Sequence, residues 1–231
     1  MARPLFLLGI DTCGPAGSVA LGRLGEAGVA VETLGMIELA GRSYSAMLVS
    51  AVGRLLEGAG LTLADVGCLV AVNGPGSFTG VRVGLSAVKG LAEAAGMRVV
   101  AVSRLEVLAE KAEVLSAALD AHRAEVFLRL AKTDGEPVEL LAGAAELEAV
   151  SPAPSEVAVC DEASVTLLQA AWPSAHLVRV EPPTAADALR LAAPRALASD
   201  FVEPLLLDGH YLRRSDAEIF GDPALAAAAR K

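Results

Sequence analysis

The chain has 231 residues, 54% of them hydrophobic but only 3% aromatic, and a formal net charge of −9 from 19 basic and 28 acidic side chains. That length can bury a sizeable core and hold one large or two modest domains. An acidic chain without basic clusters grips nucleic acid poorly on its own, because phosphate contacts supply most of that affinity.

Three scattered cysteines, Cys13, Cys68 and Cys160, show no C-x-x-C spacing and read as reduced thiols. His122, His176 and His210 lie in separate segments without ligand spacing, so no metal site is expected. No apolar run approaches the length that spans a bilayer. The apolar run Leu5–Ile10 leads straight into Asp11 and reads as a first strand rather than a signal peptide. The expectation is a cytoplasmic protein with no membrane contact.

Leu5 to Ile10 is followed by a Cys13–Gly17 turn, a second strand over Ser18–Gly22 and a third over Val29–Glu38. Ser43 caps a helix running to Glu57, whose apolar positions Tyr44, Met47, Leu48, Ala51, Val52, Leu55 and Leu56 form a stripe wider than one buried face needs. Leu69 to Val72 is a buried strand.

It opens the stretch that organises the chain, Asn73-Gly74-Pro75-Gly76-Ser77-Phe78-Thr79-Gly80-Val81-Arg82-Val83-Gly84. This is a tight loop and then a helix beginning near Ser77 or Thr79, both good N-caps. Val81, Leu85, Val88, Ala92 and Ala95 form its buried stripe, and Arg82, Ser86, Lys89 and Glu93 a polar one. Between them run Gly80, Gly84, Ala87, Gly90 and Ala94. Each helical glycine costs about 1 kcal/mol relative to alanine, so close approach of another backbone is implied, from the same chain or from a partner.

A strand over 98–102 and a helix capped by Ser103 complete the order expected of a ribonuclease-H-like domain. Near Leu115 the plan starts again: Ala117 to Asp120 is a strand ending in an acid, and Glu125–Leu130 pairs with it. A third strand covers Val138–Leu141, and 144–154 is poorly defined. Strands over 157–160 and 177–180 flank a helix over 161–171. A last helix, from Thr184 to about Leu197, contains Pro194 and is expected to stop early. Two halves with one opening imply an internal duplication.

Asp11 at a strand end, with Gly74, Gly76 and Ser77 in the loop, could position a metal-bound phosphate, as in ATPases of the actin, sugar-kinase and heat-shock class. Asp120 offers a second carboxylate, but the segment around Asp161 has no Gly-rich adenosine loop. The alternative is that Asp11 and Asp120 brace their hairpins through local bonds. Ser18 and Ser77 lack the G-x-S-x-G elbow of a nucleophile. Asp120 and His122 read as a hydrogen-bonded structural pair.

Leu8-Gly9-Ile10-Asp11-Thr12, the Asn73–Gly84 signature and Ala118-Leu119-Asp120-Ala121-His122-Arg123-Ala124-Glu125-Val126 together resemble the TsaB (YeaZ) family, and Glu203-Pro204 with Tyr211-Leu212-Arg213 also fits. The resemblance covers nearly the whole chain and is weakest from Ala131 to Pro154. It implies a duplicated ribonuclease-H-like, two-lobed actin-like α/β fold, with lobes over 1–112 and 113–231. It implies an accessory subunit of the machinery that makes N6-threonylcarbamoyladenosine at position 37 of tRNAs reading codons that start with A. In that family the catalytic paralogue TsaD carries a His-x-x-x-His metal pair where this chain has Tyr44 and Leu48. No metal, cofactor or catalysis of its own is therefore expected, ATP and Mg²⁺ being used by partner subunits. The resemblance implies pairing with TsaD through the first two helices, addition of the ATPase TsaE, and self-association through the same surface in TsaD's absence. Contact with tRNA is indirect, through the complex, where Arg82, Lys89, Arg213 and Arg214 can join a composite surface. The interface expected on these grounds comprises Tyr44, Met47, Leu48, Ala51 and Leu55, with Gly80, Arg82, Gly84, Ala87, Lys89 and Gly90.

Overall fold

The computed structural model describes residues 5–25, 30–40, 44–132 and 135–213; Ser43, Arg214 and the Ala-rich tail lie outside them. β1 (Phe6–Asp11), β2 (Gly17–Leu24) and β3 (Val31–Leu39) form an antiparallel meander. α1 (Tyr44–Gly58) leads to β4 (Val66–Val72), parallel to β1, and α2 (Phe78–Ala95) to β5 (Arg98–Val102), parallel to β4. The sheet order is β3-β2-β1-β4-β5, and α3 (Arg104–Lys111) leaves it.

The plan repeats with β6 (Ala117–Asp120), β7 (Val126–Leu130), β8 (Val138–Ala142), α4 (Ala144–Ala149), β9 (Glu156–Val159), α5 (Glu162–Ala171) and β10 (His176–Arg179). Its sheet order, β10-β9-β6-β7-β8, is the first read from the other edge. The likeness reaches single hydrogen bonds. Cys13 N donates to Asp11 Oδ1 at 2.8 Å, and His122 N to Asp120 Oδ1 at 2.7 Å, the same turn at the end of the same strand.

β1 is apolar because both faces of its sheet are covered. Ile10 faces α2 at Gly84, while its neighbour Gly9 faces α6 (Ala185–Leu197), where an added Cβ would sit 2.9 Å from the Ala185 carbonyl. α6 thus follows the second sheet in the chain yet packs on the first, burying Ala185, Ala188, Leu189, Ala192, Ala193 and Ala196. This packing explains why α6 does not stop early: it runs through Pro194 to Leu197.

Other elements depart modestly from expectation. β3 runs from Val31 to Leu39, and Val29, where the strand is expected to begin, lies outside the described residues. Within 144–154 lies the short helix α4, whose Glu146 carboxylate accepts from Gly143 N at 2.9 Å and whose Leu147 is buried under Trp172. Six residues are too few to show a helical period. Ala95, expected in the buried stripe of α2, is exposed at its last turn.

Candidate functional site

The signature loop joins β4 to α2, and the chain's own backbone grips it from three sides. Asn73 N donates to Val102 O at 3.1 Å, Arg104 N to Gly74 O at 2.6 Å, and His210 N to Asn73 O at 2.7 Å. On the β1 side Ser77 N donates to Cys13 O at 2.8 Å, the Thr12 hydroxyl to Gly80 O at 2.7 Å and the Cys13 thiol to Val72 O at 3.3 Å. Ser77 Oγ caps α2 by accepting from Gly80 N at 3.3 Å, and Gly96 ends the helix with a left-handed φ of 63°.

These contacts explain three glycines of the signature. A Cβ on Gly76 would fall on the Cys13 carbonyl, one on Gly80 on the Thr12 carbonyl, and one on Gly84 on the Thr12 hydroxyl. Gly74 has φ 114° and faces the His210 carbonyl. On the loop expected to cradle a phosphate, the Cys13 backbone therefore packs against Gly76 and Ser77, and the His210 backbone against Gly74.

Asp11 is also engaged. It is 2% exposed, and its second oxygen lies 3.4 Å from Nε of Arg104, itself 6% exposed. Burial works to lower the Arg104 pKa, but the Asp11 carboxylate with Cys13 and Cys160 together outweigh it and hold the guanidinium above its ordinary value. Burial, reinforced by Asp11, pushes the Cys13 thiol well up, which disfavours the thiolate. Asp120 pairs with Nδ1 of the exposed His122 at 2.9 Å, the surface pair expected from their spacing.

The expected interface residues divide by burial. Leu48, Ala51 and Leu55 are 1%, 3% and 9% exposed and pack in the first lobe's core, while Gly80 and Gly84 are buried against Thr12. These five hold their own chain together, which corrects the expectation that they form an outward surface. Met47, Arg82 and Gly90 face outward, and Ala87 and Lys89 are half-buried. Tyr44 opens α1; its side chain is outside the described part. Missed by the sequence reading were Ala46, Val49, Ser50 and Gly53, which line the outer face of α1, with Val49 65% exposed. Their offset from Leu48, Ala51, Val52 and Leu55 by half a helical turn was the signal that could have found them.

Gly53 and Gly90, inside their helices, differ from Gly80 and Gly84 and resemble Gly58 at the end of α1. A Cβ on either would meet nothing within 4 Å. The two helices that carry them pack against each other.

Beside the first turns of α2, Phe78 stacks on Tyr211 with centroids 4.4 Å apart and planes at 25°, and the Arg82 guanidinium lies 4.2 Å above the Phe78 ring. These residues edge a groove of about 360 Å³. A second cavity, of about 290 Å³, opens where the lobes meet, lined by Asn73, Ser103, Arg129, Glu139 and His210. Glu139 accepts from Ser103 Oγ at 2.6 Å and from Arg129 and His210 Nε2, each at 2.8 Å. Burial pushes its pKa up, but the His210, Ser103 and Arg129 donors prevail and hold it below the ordinary glutamate value. His210 belongs to a C-terminal strap over residues 203–213, whose Arg213 reaches the second lobe, donating to the Ala121 carbonyl at 2.6 Å and pairing with Glu125. Among the described residues, no helix is long and apolar enough to cross a membrane.

Residues 35–149 match the sequence family described as TsaD, tRNA N6-adenosine threonylcarbamoyltransferase. The chain is similar to the tRNA threonylcarbamoyladenosine biosynthesis protein TsaB of Haemophilus influenzae, 38% identical over 129 residues that make up 53% of this chain and 52% of that protein. It is 36% identical to the protein of the same description from Escherichia coli over 128 residues, 52% of each. The chain thus spans about half the length of these curated relatives in the matched region. YeaZ from Pseudomonas aeruginosa superposes with a TM-score of 0.71 and 28% identity over 90% of this chain and 100% of that one. Together with the repeated sheet order, this superposition makes the fold a two-lobed, actin-like pair of ribonuclease-H-like units.

Proposed function

The chain belongs to the TsaB (YeaZ) family, and from that premise we propose that it is a non-catalytic subunit of the cytoplasmic machinery that adds the threonylcarbamoyl group to N6 of adenosine 37 in tRNAs reading codons that start with A. In this reading it docks and activates a TsaD subunit through the outward faces of α1 and α2, TsaE joins the pair, and the same faces hold a second copy when TsaD is absent. It touches tRNA only as part of the complex and carries no metal or cofactor of its own.

One observation carries the docking role. Gly53 and Gly90 sit exposed in the interiors of two packed helices, and nothing among the described residues needs them to lack a side chain. Each weakens its helix by about 1 kcal/mol relative to alanine. A helix laid across this face at backbone distance accounts for that cost, and the small Ala46, Ser50 and Ala87 and the larger apolar Val49 beside them suit the same contact.

The ATPase alternative is weakened by what surrounds Asp11. A metal-phosphate would have to displace the Arg104 guanidinium and the Cys13 backbone from the positions it needs. Reconstitution of the tRNA modification from TsaD, TsaE and the threonylcarbamoyl donor, with and without this chain, tests the role. Product should form only when the chain is present. Equal product in its absence would rule the subunit role out.

A further inference from the structure

We propose that the groove between the first turns of α2 and the strap at Tyr211 receives an acidic segment of a protein partner. One Asp or Glu side chain of the segment meets Arg82 and Lys89, and an apolar neighbour covers Phe78 and Leu85. The groove is built from two distant pieces of chain. Phe78, Arg82, Leu85 and Lys89 come from α2, and Leu207 and Tyr211 from the strap. Stacking on Phe78, with the Tyr211 ring 5.9 Å away, holds the flat face of Arg82 and leaves its N–H edge for a carboxylate.

Neither cation has a carboxylate partner among the described residues, although Arg129, Arg195 and Arg213 each hold one. In a chain of net charge −9, two uncompensated cations at one groove define a local site for negative charge. Asp208 also edges the groove, with Oδ1 accepting from its own Gly209 N at 2.7 Å. A carboxylate at that edge opposes a phosphodiester chain more than a peptide with one acid, and the carbon of Leu85 and Leu207 offers no phosphate contact. Two cations are also few for RNA, whose affinity grows with the number of phosphates neutralised. The assignment of the peptide to a protein partner rests on the docking role above; the groove's preference for a carboxylate does not.

Two measurements keep the two ideas apart. In the first, backbone amide spectra of the full chain are followed while acetylated, amidated Leu-Glu-Glu-Leu, Leu-Lys-Lys-Leu or a five-nucleotide oligouridylate is added. The Glu peptide should move the Arg82, Lys89 and Tyr211 signals, less so at 0.5 M salt, and Arg82→Glu/Lys89→Glu should abolish the movement while leaving the remote Trp172 indole signal in place. No movement with the Glu peptide, or movement with oligouridylate alone, overturns the proposal. In the second, Arg82→Glu/Lys89→Glu should weaken binding to TsaD at least tenfold. If TsaD binds both forms equally, the groove assignment falls and the docking role stands. If TsaD binds neither, the docking role falls, and the peptide titration still decides the groove's chemistry.

Discussion

The Arg104 guanidinium lies 3.4 Å from the Asp11 carboxylate, both almost fully buried, at the end of the first strand. Ninety-three positions separate them in the chain, so this ion pair ties the first strand to the start of α3. Arg104→Met leaves a buried carboxylate with little beyond the Cys13 amide to offset it, and should lower stability by about 3–5 kcal/mol. Asp11→Asn combined with Arg104→Met should regain most of that loss, because no charge remains buried. Urea midpoints of the three proteins check this, and calorimetry with ATP and Mg²⁺ should show no binding heat for the unaltered chain.

The glycines of α2 separate packing from docking. Gly80→Ala places a Cβ on the Thr12 carbonyl and should cost about 3 kcal/mol or more, since backbone cannot yield as a side chain can. Gly90→Ala enters open space and should stabilise the isolated chain by up to about 1 kcal/mol. In thermal melts this is a large fall in Tm for the first variant. For the second it is a rise of roughly 2–4 °C, the shift per kcal/mol usual for a chain of this size.

Glu139 gives the fold an acid-sensitive joint. Held below the ordinary glutamate range when folded, its carboxylate contributes its full stabilisation above the unfolded pKa of about 4.3 and loses it as pH falls through the lower folded value. Glu139→Gln should cost about 2–4 kcal/mol at neutral pH, because Arg129 loses its partner but keeps some solvent. The stability gap between the two proteins should hold from pH 7 to about 5 and close as the pH falls through the lower folded value. Chemical denaturation at several pH values reads that gap.

Much of this was legible along the chain because it depends on neighbours in sequence. The Asp11 and Asp120 strand ends, the Ser77 and Ser103 caps and the repeated strand plan all follow from residues a few positions apart. What escaped depends on distant partners. Nothing near Asp11 announces Arg104, and nothing near Gly80 distinguishes it from Gly90 until Thr12 is brought alongside one and not the other. The width of the apolar α1 stripe points to a helix covered on two sides or to an oligomer surface. Leu48, Ala51 and Leu55 instead fill one core, and the outer face is made of smaller side chains at the opposite phase. Pro194 was read as a stop, but the alanine face of α6 buried on the first sheet carries the helix past it.

Whether the outward faces of α1 and α2 receive a TsaD subunit comes down to one titration, TsaD from the same genome into this chain and into its Gly90→Leu variant. One-to-one binding by the unaltered chain is expected, at least tenfold weaker in the variant while its Tm is unchanged or higher. Equal affinity for the two forms, or none for the unaltered chain, would remove the docking role.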